Sequence, residues 1–142
     1  MKIIYWLVGA VVAVPVILVA MIYGVSEVGG EVVTLLRPES DGSHSNVRIW
    51  VVDDGDVSWI EHGEPDSYWL GQLEQIPQLT LIREGQRQNY RATADPAAHE
   101  QYHRLRYEKY GIADDIVAKF SGAGEDCSAV PIRLDLKAQS AK

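Results

Sequence analysis

The chain has one cysteine, one phenylalanine and two methionines in 142 residues. The scarcity of sulfur excludes two things: Cys127 has no partner for an internal disulfide, and one thiolate cannot build a zinc–thiolate cluster. A quiet free thiol is the expected state. Positive charge is also short, with 13 Lys and Arg against 20 Asp and Glu, for a formal net charge of −7. That balance argues against a nucleic-acid surface, which needs clustered basic side chains. The acidic residues are spread along the chain rather than blocked, as on a solvated surface. There is no P-loop, no Ser-His-Asp spacing and no internal repeat. At this length, one domain is expected once any targeting segment is set aside.

What is present begins with an uncharged run, Ile3–Tyr23. At 1.5 Å per residue it is long enough for a hydrocarbon core of about 30 Å. Tyr5, Trp6 and Tyr23 stand near its ends, where interfacial rings are favoured, and a mid-span Pro15 is tolerated in membrane helices. A secretory signal would have a shorter apolar stretch and small residues at a cleavage site, and Leu18-Val19-Ala20 and Ile22-Tyr23-Gly24 serve poorly as one. The run is therefore read as an uncleaved, single-pass anchor. Lys2 precedes it while Glu27 and Glu31 follow, which places the domain on the extracytoplasmic side of the cell membrane. The expected layout is an anchor at 1–24, a linker at 25–30 ending in Gly29-Gly30, a domain at 31–137 and a tail at 138–142. The bilayer is the expected partner of residues 3–23, together with a small-molecule substrate and no nucleic acid.

The domain is organised around Ser67–Arg83. Trp69, Leu73 and Ile76 share one helical face, Pro77 ends the helix, and Leu79, Leu81 and Arg83 alternate as a strand. Further strands are expected at Glu31–Arg37, Val47–Asp53, Asp56–Glu61, Gln86–Asp95 and Ala129–Leu136. Asp54-Gly55 and Glu84-Gly85 mark hairpin turns. In the second strand Val47, Ile49 and Val51 face one way, Trp50 and Val52 the other; the third carries Trp59. Asp95-Pro96 opens a helix running to about Tyr110 and stopped by Gly111. A shorter helix follows at Ala113–Phe120, then a loop at Gly122–Asp126. Tyr102, Leu105 and Tyr110 form the packing stripe of the longer helix. The expected fold class is α+β, mainly β: a six-stranded antiparallel barrel with inserted helices behind an N-terminal transmembrane helix.

Several stretches carry a family resemblance in the right order. They are Val32-Val33-Thr34-Leu35, Asp54-Gly55-Asp56, the Asp95-Pro96 helix, Val130-Pro131 and, above all, Trp69-x-x-Gln72-Leu73-x-x-x-Pro77-x-Leu79-Thr80-Leu81. From Glu31 to Leu136 the chain resembles the deazaflavin-dependent nitroreductases of the split β-barrel, pyridoxamine phosphate oxidase-like FMN-binding superfamily. The resemblance implies a deazaflavin or FMN cofactor and hydride transfer to a small quinone-like or nitro substrate. The cofactor's ring carries such chemistry, and the protein supplies position and charge. It further implies a phosphate-holding loop between the first two strands. That loop is Pro38–Ser45 here: Gly42 matches the family, whereas its basic positions fall on Glu39, Ser40 and Ser45. Arg37, His44 and Arg48 are the nearby groups that could compensate. The implied cofactor-binding residues are Gly42, His62, Gly63 and Trp69, with no catalytic residue assigned.

The alternative is a non-catalytic binding or structural barrel without the coenzyme, since an exterior domain has poor access to one made inside the cell. A third reading starts from His99-Glu100-Gln101-Tyr102-His103. This is H-E-x-x-H, which on a helix puts two imidazoles on one face for zinc, with Glu100 as general base. Glu108 or Glu125 would complete the ligands of such a hydrolase. Arg104 and Arg106 following the motif suggest instead a wet helix face and no metal.

Overall fold

The computed structural model describes residues 13–14, 16–17, 30–39, 41–121 and 127–137. Among them are seven strands: β1 (Val32–Pro38), β2 (His44–Trp50), β3 (Val52–Asp54), β4 (Val57–His62), β5 (Gln78–Arg83), β6 (Gln86–Ala94) and β7 (Val130–Leu136). Three helices accompany them: α1 (Tyr68–Gln75), α2 (His99–Tyr110), entered through a 3-10 turn at Pro96–Ala98, and α3 (Ile112–Ser121). The strands form one antiparallel sheet in the order β2-β1-β5-β6-β7-β4-β3. Its edge strands β2 and β3 follow one another in the chain, so the curled sheet has its two edges tied together through Val51.

Seven strands replace the expected six because Val47–Asp53 is not one strand. Val51 spends its peptide groups on α2 instead of a ladder. Its N–H donates to Tyr110 Oη (3.1 Å), and its carbonyl accepts from Lys109 Nζ (2.7 Å) and faces Tyr110 Oη (2.6 Å). The alternation on either side nevertheless holds. Val51, with Val47 and Ile49, joins the inner core, while Val52 and Trp50 join the outer one.

The organising segment folds as its residues dictate. Ser67 caps α1 by accepting from the Leu70 amide, and the helix ends at Ile76, before Pro77. Trp69, Leu70 and Leu73 are its buried residues; Ile76, expected on that face, is exposed. They pack inside the curl with Val33, Leu35, Ile60, Leu81, Ile132 and Leu134. The opposite face, at β3 and β4, carries a smaller cluster of Val52, Trp59, Ala98, Tyr102, Tyr110 and Ala113, with Leu105 packed against it.

Gly30, expected as the flexible end of a linker, is a close-packed position. A Cβ there would lie 1.9 Å from the Tyr110 ring. Of the expected anchor, residues 13, 14, 16 and 17 are described, and they are helical and exposed; the rest of Ile3–Tyr23 lies outside the described residues, as do Gly29, the 122–126 loop and the 138–142 tail. Among the described residues no helix is long and apolar enough to cross a membrane.

Candidate functional site

A crevice of about 160 Å³ opens where the end of β1, the end of β4 and the start of α1 meet. Arg37, Pro38 and Glu39 form one wall; His62, Glu64, Tyr68 and Trp69 form the other. Two of the expected residues are thus brought together. The His62 and Trp69 rings meet edge to face, with centroids 5.0 Å apart and planes at 65°. Burial holds His62 below its usual pKa, with Glu64 opposing and Arg37 adding to the effect, so the imidazole is neutral near pH 7. Trp69 Nε1 and His62 Nε2 are buried and have no hydrogen-bond partner among the described residues. Both residues line the crevice, and buried polar atoms in folded proteins are nearly always paired.

The two glycines are placed differently. Gly42 sits at the tip of the β1–β2 hairpin with φ +81°, and a side chain on it or on Gly63 would meet nothing within 4 Å. Gly42 is required by its backbone and does not line the crevice. Gln72, where the family has asparagine, is on the exposed face of α1 and donates to Tyr68 Oη.

The phosphate end of a flavin-type cofactor does not fit this hairpin. Arg37 directs Nε (3.0 Å) and Nη2 (2.9 Å) at Glu39 Oε1, and the Ser45 hydroxyl donates to the same oxygen. Ser45 and Arg37 together hold the Glu39 carboxyl below its ordinary range, so it is charged. The backbone donors that could cradle an anion are also committed: Glu39 N–H to Ser43 O (2.9 Å), Gly42 N–H to Glu39 O (3.1 Å) and Ser43 N–H to Asp41 Oδ1 (2.9 Å). A phosphate would meet a carboxylate where it needs a cation. Neither His44 nor Arg48 lines the crevice, and Ser40 lies outside the described residues.

The H-E-x-x-H stretch lies elsewhere, on α2. Glu100 is exposed, and Glu108 pairs with Arg104 at the surface (3.9 Å); Glu125 lies outside the described residues. Arg106 corrects the expected wet face: it is buried, with Nη1 2.6 Å from Glu61 Oε2 and Nε 2.6 Å from Asp114 Oδ1. His103 lies against the same group, Nε2 3.1 Å from Glu61 Oε1 and Nδ1 3.2 Å from Arg106 Nη2. Burial, then Arg106 and His99, push its pKa down to about 4. Cys127, expected as a quiet thiol, stands beside His99 and His103. No sequence pattern links it to them, because the contact is made by the chain returning to start β7.

No protein-family model matches the chain, and no curated protein matches it. Solved structures do match in backbone. A Listeria innocua protein assigned as a pyridoxamine 5'-phosphate oxidase is 14% identical with a TM-score of 0.54, covering 84% of this chain and 93% of its own. The heme storage protein HutZ from Vibrio cholerae is 11% identical with a TM-score of 0.53, covering 76% and 82%. A Bacteroides thetaiotaomicron protein assigned to 5-nitroimidazole antibiotic resistance is 9% identical with a TM-score of 0.51, covering 77% and 74%. At such identities the likeness is one of fold: the chain has the split-barrel fold of pyridoxamine 5'-phosphate oxidase-like proteins.

Proposed function

We propose that this domain is a binding barrel for a small, planar, unphosphorylated heterocycle or quinone, taken up at the His62–Trp69 crevice. The observation that carries this reading is the pair of unpartnered buried atoms, Trp69 Nε1 and His62 Nε2. The indole N–H is a donor only, so it suits a ring carbonyl, and neutral His62 offers a second polar contact. The crevice volume of about 160 Å³ favours a ligand smaller than a whole flavin nucleotide; pockets for drug-sized ligands run to roughly 300–1,000 Å³. The Arg37–Glu39–Ser45 contacts weigh against a phosphorylated cofactor, and with it against the hydride-transferring reductase. That reductase, using a deazaflavin or FMN, is the second reading, and the fold is what favours it.

Riboflavin and FMN share a ring and differ by one phosphate, so they separate the two. With the full chain in detergent, quenching of tryptophan fluorescence should show riboflavin binding more tightly than FMN, because the charged Glu39 carboxylate and the added phosphate carry the same sign. Glu39→Gln should narrow the gap and Trp69→Phe should remove the quenching. FMN or a deazaflavin binding as tightly as riboflavin would transfer the assignment to the reductase. No binding of riboflavin or menadione would end the crevice reading. The uncharged Ile3–Tyr23 run supports placing the crevice beside the extracytoplasmic face of a bilayer, where apolar quinones concentrate. Release of the full chain from membranes by alkaline carbonate would refute that placement.

A further inference from the structure

The corner formed by α2 and the approach to β7 holds a second group of chemically active side chains. His99 and His103 are one helical turn apart on α2, with ring centroids 4.3 Å apart. Cys127 reaches them from the segment before β7, and one donor atom from each of the three lies within 4.8 Å of the others. All three are partly exposed, so an ion has a route in.

We infer that His99, His103 and Cys127 bind a single zinc-type transition-metal ion, with a fourth position left to water. Two imidazoles and a thiolate are borderline-to-soft donors, which select zinc or its neighbours and disfavour magnesium and calcium. A tetrahedral ion with bonds of about 2.0–2.3 Å draws its ligands to roughly 3.5 Å apart, so the three need only close in slightly.

The surroundings orient His99 for a metal, whereas at His103 the ion must displace a contact. His99 Nδ1 is 3.1 Å from the Ala129 carbonyl, which can only accept. The proton is therefore on Nδ1, and Nε2 carries the lone pair, the arrangement by which a backbone carbonyl fixes a metal-binding tautomer. Ala129 lies in the same segment as Cys127, so one stretch of chain supplies both a ligand and the partner that orients another. At His103, Glu61 Oε1 lies 3.1 Å from Nε2 while the donor-only Arg106 contacts Nδ1 at 3.2 Å. Ligation takes the lone pair that Arg106 now touches. The guanidinium keeps its 2.6 Å contacts to Glu61 and Asp114, which neutralise it beside an incoming cation. The site differs from the hydrolase the motif suggests: exposed Glu100 is not part of it, and the third ligand is a thiolate from outside the helix.

The test uses full-length protein in detergent, stripped with a chelator, reduced, and dialysed against zinc alone. One zinc per chain should be retained, and reaction of Cys127 with a thiol reagent should slow about tenfold or more. Cobalt in place of zinc should give a thiolate-to-metal charge-transfer band, absent in Cys127→Ser. That variant and His99→Gln should keep their circular dichroism while losing more affinity than the roughly 10–100-fold that an outer-shell change costs. Zinc lost on dialysis, an unprotected thiol, or equal zinc retention by both variants would overturn the assignment. The thiol-protection arm needs no variant, so a misfolded mutant cannot obscure the answer.

Discussion

The two faces of the curled sheet are held by different kinds of contact. Inside the curl, α1 and the strands bury Trp69, Leu70, Leu73, Leu81, Ile132 and their neighbours, while the buried charged side chains among the described residues, Arg106 and Asp114, belong to α2 and α3. Outside, α2 covers β3 and β4 with a smaller apolar patch, bordered by the buried Arg106 between Glu61 and Asp114 and by the Glu31–Asp53–Arg83–Lys109 network. The inner face therefore depends on area removed from water, the outer on each charge keeping its partner. Both candidate sites lie where these regimes meet: the crevice at the mouth of the inner core, the metal corner beside the buried ions.

The largest effect should come from the inner face. Trp69→Ala removes a side chain that is 5% exposed and packed against strands across the sheet. A loss of about 3–5 kcal/mol is expected in urea titration. No second substitution on the outer face should restore it. A loss below about 1 kcal/mol would mean that the indole is not part of the core.

Arg106→Ala should cost about 3 kcal/mol, because it leaves Glu61 and Asp114 buried without their counter-ion. Here, unlike at Trp69, partners can be changed together. Replacing Arg106, Glu61 and Asp114 by Met, Leu and Leu should return stability to within about 1 kcal/mol of the parent, since well-packed apolar groups can replace a buried ionic group. If the triple variant is as unstable as the single one, the outer face does not work by charge pairing.

This contrast also explains what could be read from residues alone. Alternation located the two faces of Val47–Val52, because apolar periodicity is a local signal. The break at Val51 was not legible, since it depends on Tyr110 and Lys109 reaching back from α2. Arg106 read as surface for the same reason: a charge reveals its burial only through partners distant in sequence. At the crevice, His62 and Trp69 were found from the resemblance, and Glu39 stood out as the wrong charge. That its carboxylate would take both Arg37 and Ser45 required the hairpin register, which sets Arg37 opposite Ser45. Cys127 could be paired with His99 and His103 only by folding the chain.

A smaller effect tests the seam between the faces. Tyr110 stacks on Trp50 (4.4 Å between centroids), and its hydroxyl faces the carbonyls of Val51 and Glu31. Tyr110→Phe should cost about 1–2 kcal/mol by taking the partner from the buried Val51 N–H, whose carbonyl keeps Lys109, and should raise amide exchange at Val51 before it does so in β5 or β6. Gly30→Ala drives a methyl into the same ring and should cost a similar about 1–2 kcal/mol. Uniform exchange across the sheet would show that Val51 is not a separate joint.

The smallest effect is a pH dependence confined to the outer network. Arg83 chiefly, helped by Ser58, pulls the Asp53 carboxyl down to about 2, against an ordinary value of 3.8. A carboxyl with a depressed folded-state pKa contributes stability above its unfolded pKa, and that contribution is lost as pH falls through the folded value. The window is therefore between about pH 4 and pH 2. Asp53 is partly exposed, so after solvent screening the contribution is no more than about 1 kcal/mol. Asp53→Asn should be less stable than the parent by that amount at pH 6, with the difference fading as the pH drops from about 4 to about 2. Across the same window an inner-face variant such as Leu81→Ala should keep a constant deficit, because the apolar cluster around Leu81 holds no carboxylate to protonate. Two parallel curves in place of one converging and one flat would erase the distinction between the faces.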